Sequence, residues 1–210
     1  MRYLSIYIFI LIGIFSIKIE AQTVEAKWLH SLNAESSPFL NHTSSFLSNS
    51  TPYLAVGLPL ALLADGYISG NENTIKNGWY VASTLAVSSI LTMAMKYCIN
   101  RNRPYVTYPG YIIPRGSDGS PSFPSGHTSM AFSMATSLSI CYPKWYVIAP
   151  SMLWATSVGY SRMNLGVHYP SDVVAGAVLG AGSAWLTIKL NKWMNKPIER
   201  ATKQTMDWTR

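Results

Sequence analysis

Five apolar stretches, at about 52–69, 78–96, 126–141, 145–160 and 172–190, dominate the chain and limit what it can become. Each runs for roughly 16–19 residues, at the short end of the ~17–25 that cross a bilayer as a helix. In lipid, a backbone must satisfy its own hydrogen bonds, which leaves helices or a closed barrel. Continuous apolar runs of this length point to helices, with tilted flanks or partial burial making up the length. The expected fold is all-α: a membrane-embedded bundle of five to six helices.

Charged residues make up only 12% of the chain and hydrophobic ones 49%. A soluble domain carries about 25% charge. The mean hydropathy is nonetheless modest at +0.15, because Ser, Thr and Gly dilute the apolar stretches. Small residues of that kind suit close helix packing in a bilayer, and Ala175, Gly176, Gly180 and Gly182 mark such a contact face. The net charge of +7 comes with no basic–aromatic groove pattern, which argues against nucleic acid. An anionic membrane surface or an anionic substrate is the better partner.

Residues 1–21 (Arg2, an apolar core, then Ala21) read as a signal peptide, or as an uncleaved first membrane helix. Residues 22–50 are mixed and polar and are expected outside the cytoplasm as an interfacial segment. Residues 51–190 form the bundle. A basic tail, 191–210, is expected in the cytoplasm by the positive-inside rule. Polar loops are expected at 71–78, 101–123 and 142–144. Counting crossings puts the loop at 96–125, the connection at 161–171 and residues 22–50 on one face, the outer one. Cys98 and Cys141 fall on opposite sides and are expected to be free thiols. His30 and His42 read as ordinary surface residues.

Three clusters share that outer face. In 96-KYCINRNRP-104, Lys96 closes a helix and Arg101 and Arg103 follow. Cations snorkelling at a helix end would look the same. In 124-PSGH-127, Pro124 suits the first turn of a helix, and Ser125, Gly126 and His127 lie at its positive end, where free N–H groups bind anions. A plainly capped helix with a bystander histidine is the alternative. In 161-SRMNLGVHYPSD-172, Pro170 marks a helix start, and Asp172 can reach back to fix the tautomer of His168. Alternatively, Asp172 is an ordinary first-turn acid. Together, Lys96, Arg103 and Arg162 bring three cations to one face, and cations so placed need a shared anion. Phosphate satisfies planar guanidinium forks and a helix mouth alike.

K-x6-R-P at Lys96–Pro104, P-S-G-H at Pro124–His127 and S-R-x5-H-x3-D at Ser161–Asp172 resemble, in order, the three signatures of the type-2 phosphatidic acid phosphatase superfamily. The resemblance spans about residues 50–190. It implies that His168 attacks phosphorus to form a phospho-histidine, with Asp172 orienting it. His127 would protonate the leaving oxygen and then activate water, while Lys96, Arg103, Arg162, Ser125 and the N–H of Gly126 hold the phosphate oxygens. It implies no metal and no other cofactor. The charge-free run after Asp172 favours the membrane branch: a lipid phosphate phosphatase of the bacterial inner membrane with a periplasm-facing site. Its substrate would be a polyprenyl diphosphate or a lipid A-type phosphate. A soluble periplasmic acid phosphatase of the same superfamily is the main alternative. A vanadate-dependent haloperoxidase and a non-catalytic lipid-binding protein are others. In the loop 105–123, Tyr105, Tyr108 and Tyr111 suit the membrane interface and Arg115 a second phosphate or headgroup, but for each residue taken singly a loop simply solvated or packed over the bundle is the favoured reading.

Overall fold

The computed structural model describes residues 23–116 and 119–207, with backbone alone from 193 onward. The expected signal segment at 1–21 lies outside the described residues. A helix at 23–34 (α1) leads into α2 (Pro38–Ser69), α3 (Glu72–Ile99), a single turn α4 (Pro104–Thr107), α5 (Gly126–Cys141), α6 (Trp145–Asn164) and α7 (Pro170–Asp207). The described residues contain no strand, and the architecture is an all-α bundle. Cys98 and Cys141 are free thiols.

Local chemistry sets the boundaries. Ser37 caps α2 by accepting from the N–H of Leu40, with Pro38 in the first turn, and Gly70 closes it in the left-handed region. α2 runs unbroken across residue 50. The polar stretch before that point supplies an inward helix face, where Ser44, Ser48 and Thr51 are buried. The expected loop at 71–78 is a single residue beyond Gly70: the Asn71 side chain accepts from the N–H groups of Asn73 and Thr74 and starts α3 at once. A capping side chain outweighs the polarity of the first turn. Pro124 stands outside α5, one residue before the N-cap Ser125, so the helix opens at Gly126 rather than at the proline. Pro170 does open α7, as expected.

The bundle is polar inside and apolar outside. Val56, Leu60, Ile90, Leu153, Val174 and Val178 point outward and exposed. A belt of that extent belongs against lipid. Inside, Ser88, Thr92, Ser129, Ser133 and Ser137 are buried. The Ser88 and Ser129 hydroxyls meet at 2.6 Å, and Thr92 donates to Ser129 at 3.0 Å. Three segments, Pro38–Ser69, Glu72–Thr107 and Pro170–Lys192, are long and apolar enough to cross a membrane. α5 and α6 fall outside that set, against the five spans expected. α5 packs against α2, α3, α6 and α7, so its neighbours are protein rather than lipid. Two of its hydroxyls bond back to the helix, Ser133 to the carbonyl of Met130 and Ser137 to that of Met134.

The α5–α7 contact is the most extensive in the bundle. A Cβ on Gly176 would lie 2.6 Å from the carbonyl oxygen of Ser125, and one on Gly180 would lie 2.2 Å from that of Ser129. Both positions require glycine for backbone contact. Gly182, expected on the same face, has nothing within 4 Å. It falls off the i, i+4 stripe that Gly176 and Gly180 define.

Candidate active site

One end of the bundle collects the three motif clusters. α3 ends at Asn100, whose left-handed backbone (φ 47°) returns its N–H to the carbonyl of Lys96 at 2.8 Å. Asparagine tolerates that conformation, and the turn throws Arg101 and Arg103 back across the bundle end. Gly166 (φ 71°) makes the matching turn after α6. A side chain there would meet the carbonyl of Ile113 at 2.8 Å. The next residues deliver His168 and Asp172 into the interior, 1% and 0% exposed.

Asp172 has both oxygens engaged. Oδ1 accepts from Nη1 of Arg101 at 2.7 Å. Oδ2 accepts from the Ser122 hydroxyl and from the N–H of Tyr169 at 2.9 Å, and stands 3.5 Å from Nδ1 of His168. The Tyr169 bond is half of a capping box. Asp172 is therefore a first-turn helix acid and the partner of His168 at once; the two sequence readings are not exclusive. On the opposite side of the ring, Nη1 of Arg103 lies 3.4 Å from Nε2 of His168 and donates to the carbonyl of Val167 at 3.0 Å. Burial pushes the His168 imidazole down to about 4, against the pull of Asp172 and with Arg162 and Arg103 adding to the fall. At neutral pH the ring is therefore uncharged, and its lone pair is available.

The remaining expected site residues surround this pair. Lys96 and Arg103 are buried and reach the loop before α5, Lys96 at the carbonyl of Pro121 and Arg103 at the carbonyl (2.8 Å) and hydroxyl (3.2 Å) of Ser120. A cavity of about 340 Å³ is lined by Lys96, Ser120, Gly126 and His127, together with Thr92, Met93 and Met130. A second, of about 410 Å³, is lined by Arg101, Arg103, Asn100 and Asn102 and meets the first at Ser120. Arg162, buried in α6, donates to Ser48 of α2. Ser125 is fully buried with its hydroxyl on Thr128 at 2.8 Å, while its N–H donates to the carbonyl of Asp172 at 3.0 Å. The backbone thus stitches the α5 start to the α7 start.

The loop is packed over the bundle, as in the favoured reading of it: Arg115 donates to the carbonyl of Asn33 at 2.6 Å and pins the loop to α1. His30 is not a plain surface residue, since its ring stacks on Tyr111 at 3.9 Å and its Nδ1 contacts the Tyr111 carbonyl at 2.7 Å. Tyr105 and Tyr108 pack against Leu29, Ile112 and Tyr169. Ser122, Ser120 and Glu25 join the site without having been singled out. Ser122 and Ser120 carry no signal beyond their place in a Ser/Gly/Pro loop, and Glu25 carries none.

A helical bundle with an apolar outer belt, and with a buried His–Asp pair and three buried cations at one end, is the architecture of a membrane protein. The chain belongs to the PAP2 superfamily, whose profile matches residues 77–196. Among curated relatives, it is 32% identical to the undecaprenyl-diphosphatase of Sulfolobus acidocaldarius over 57% of each chain. It is 33% identical to the lipid A 4'-phosphatase of Bacteroides thetaiotaomicron, over 51% of this chain and 54% of that one. The chain thus spans little more than half the length of these two relatives. The crystal structure of Aquifex aeolicus LpxE superposes with a TM-score of 0.66 at 26% identity, covering 78% of this chain and 93% of that one.

Proposed function

We propose that the chain is a metal-independent phosphatase that hydrolyses phosphate or diphosphate from a membrane lipid through a phospho-histidine at His168. The observation that carries this reading is the placement of His168. Its ring is buried and uncharged, Asp172 and Ser122 stand on the Nδ1 side, and Arg103 stands on the Nε2 side. An oxyanion held by Arg103 presents its phosphorus to Nε2. The N–P bond forms as the P–O bond to the lipid breaks, and His127 gives its proton to the leaving oxygen. His127 then takes a proton from water; the new O–P bond forms as N–P breaks, and phosphate leaves. Lys96, Arg103 and Arg162 provide the positive charge that a metal supplies in other phosphatases, with Ser125 and the N–H of Gly126 assisting.

The substrate class rests on two supports. The cavity at Lys96 and His127 is also lined by Met93 and Met130, and Met93 lies on the exposed apolar surface. Two relatives are named for lipid phosphate hydrolysis, one an undecaprenyl-diphosphatase and one a lipid A 4'-phosphatase. The basic tail and the leader-like N-terminus favour a periplasm-facing site in the inner membrane.

Phosphate release by the detergent-purified chain, in EDTA, tests the reading with a polyprenyl diphosphate against a small soluble phosphate monoester. The lipid is expected to win by more than about tenfold in kcat/KM, since remote binding energy is spent on the reacting centre. Equal turnover of the soluble ester points to a broad acid phosphatase, and loss of activity in EDTA rules out metal independence.

A further inference from the structure

Glu25 lies on α1, far outside the stretch that matches the family, yet it completes the ion pair on Asp172. Ala26, Leu29 and Asn33 bury one face of α1. Leu29 sits on Ile112 and Tyr169, and the Asn33 amide donates to the carbonyls of Ile113 and Asn164 at 3.0 Å each. That docking brings the Glu25 carboxylate over the start of α7. Oε2 accepts from Nη2 of Arg101 at 2.7 Å, and Oε1 accepts from the N–H of Ser171 at 3.2 Å. Arg101 is then held on every side. Nη1 donates to Asp172 and to the Ser171 hydroxyl, both at 2.7 Å, and the guanidinium lies 3.9 Å over the Tyr169 ring.

A guanidinium beside one carboxylate prefers a two-bond fork, one nitrogen to each oxygen. Arg101 does not make that fork with Asp172, because Glu25 occupies Nη2. Asp172 therefore receives one Arg101 nitrogen on Oδ1 and keeps Oδ2 for Ser122, the Tyr169 N–H and the face of His168. We propose that Glu25 is a positioning residue of the reaction, which acts through Arg101 to keep Oδ2 of Asp172 turned to His168. This rests on the phospho-histidine reading above and adds to it a residue from the N-terminal segment. Without Glu25, Arg101 closes its fork on Asp172 and draws Oδ2 off the imidazole.

The test uses the full chain in detergent with a polyprenyl diphosphate, and compares Glu25→Ala, Glu25→Gln, Arg101→Ala and the double variant Glu25→Ala/Arg101→Ala. Glu25→Ala is expected to lower kcat by about tenfold with KM within about twofold, since small misplacements of a reacting group act on the chemical step. Glu25→Gln has one oxygen, and the charge-assisted 2.7 Å bond from Nη2 outweighs the single 3.2 Å bond from the Ser171 N–H, so the oxygen stays on Arg101 and kcat recovers to within about threefold of the unaltered chain. In the Arg101→Ala background, Glu25→Ala adds less than about twofold, because the two act as one unit. Should Glu25→Ala not be recovered folded, Glu25→Gln and Glu25→Asp carry the test: Gln reaches Arg101 and Asp falls short, so Gln must be the more active. An unchanged kcat in Glu25→Ala overturns the proposal, as do losses that multiply with Arg101→Ala or no rescue by Gln. Failure of the functional reading looks different: the unaltered chain releases no phosphate, or His168→Ala still does.

Discussion

Replacing Asp172 by Asn isolates the charge of one carboxylate from its shape. The amide has a single acceptor oxygen, whereas Asp172 accepts from Arg101 on Oδ1 and from Ser122 and the Tyr169 N–H on Oδ2. The backbone N–H cannot turn away, so the amide oxygen stays on that side and the NH2 faces the Arg101 guanidinium. One charge-assisted hydrogen bond becomes a donor–donor contact, a loss of about 1.5–3 kcal/mol. The larger effect falls on His168. In the proposed mechanism, attack on phosphorus makes the ring cationic, and a unit charge on Asp172 stands 3.5 Å away. At an effective dielectric of about 20, that separation is worth about 5 kcal/mol. Arg101, 2.7 Å from the same carboxylate, cancels a large part of it. At 1.36 kcal/mol per tenfold, Asp172→Asn should lower kcat by about 10²–10³ with KM little changed. Steady-state phosphate release gives both constants, and thermal unfolding in detergent measures the structural cost separately. A kcat within about fivefold of the unaltered chain, in a folded protein, would refute the orienting role of Asp172.

Three further outcomes follow from the same geometry. His127→Ala should slow water attack more than phosphoryl transfer and leave an acid-labile phosphoprotein, with kcat lower by about 10²–10⁴; labelling with radioactive lipid phosphate checks this, and His168→Ala must carry no label. His168 is neutral when folded because burial holds it down at about 4 from an ordinary 6.5. An unfolded chain takes up that proton first, so the contribution of His168 to stability is full above about pH 6.5 and is lost as pH falls through 4. His168→Gln should therefore flatten the fall in Tm over that window, and an identical fall in both proteins would contradict the buried neutral ring. Gly180→Ala puts a methyl where a Cβ would lie 2.2 Å from the Ser129 carbonyl; it should destabilise by about 1–3 kcal/mol or more, seen as a lower Tm, whereas Gly182→Ala, with open space around it, should not.

Spacing made part of this legible and not the rest. His168 and Asp172 are four apart across a proline that starts a helix, so one turn brings them together whatever the rest of the chain does. Lys96 and Arg103 lie either side of a short break, and a reversal there puts both at the same helix end. Burial of Ser125 with its hydroxyl on Thr128 was not legible, because it depends on how closely α7 approaches. Glu25 was hidden for a different reason: 76 residues separate it from Arg101, and no periodicity links them. The polar run before residue 50 looked like a wet segment, because hydropathy cannot tell a water-facing hydroxyl from one buried in a bundle whose interior is itself made of hydroxyls. The bounds of α5 match the expected stretch at 126–141, but its surroundings were not legible: of its six Ser and Thr residues, Ser133, Ser137 and Ser139 bond to its own carbonyls and Ser129 to α3, while Thr136 is buried with its hydroxyl unpaired.

The glycine stripe and the reactive groups are mechanically one object. Gly176 admits the Ser125 carbonyl, and one turn on, Gly180 admits that of Ser129. Those two close approaches fix the height of α5 against α7. At the same level, the Ser125 N–H donates to the Asp172 carbonyl at 3.0 Å. His127 stands two residues beyond Ser125, and His168 stands four before Asp172. Moving α5 by a fraction of a turn therefore moves one imidazole relative to the other. The proposed two-step phosphoryl transfer needs both rings at a fixed separation from one phosphorus. In a bilayer, the helices gain no hydrophobic drive toward each other, since lipid tails are as apolar as their side chains. Close backbone contact is what remains to hold that separation, and this explains why glycines sit beneath the site and why the bundle is lined with Ser and Ala rather than Leu.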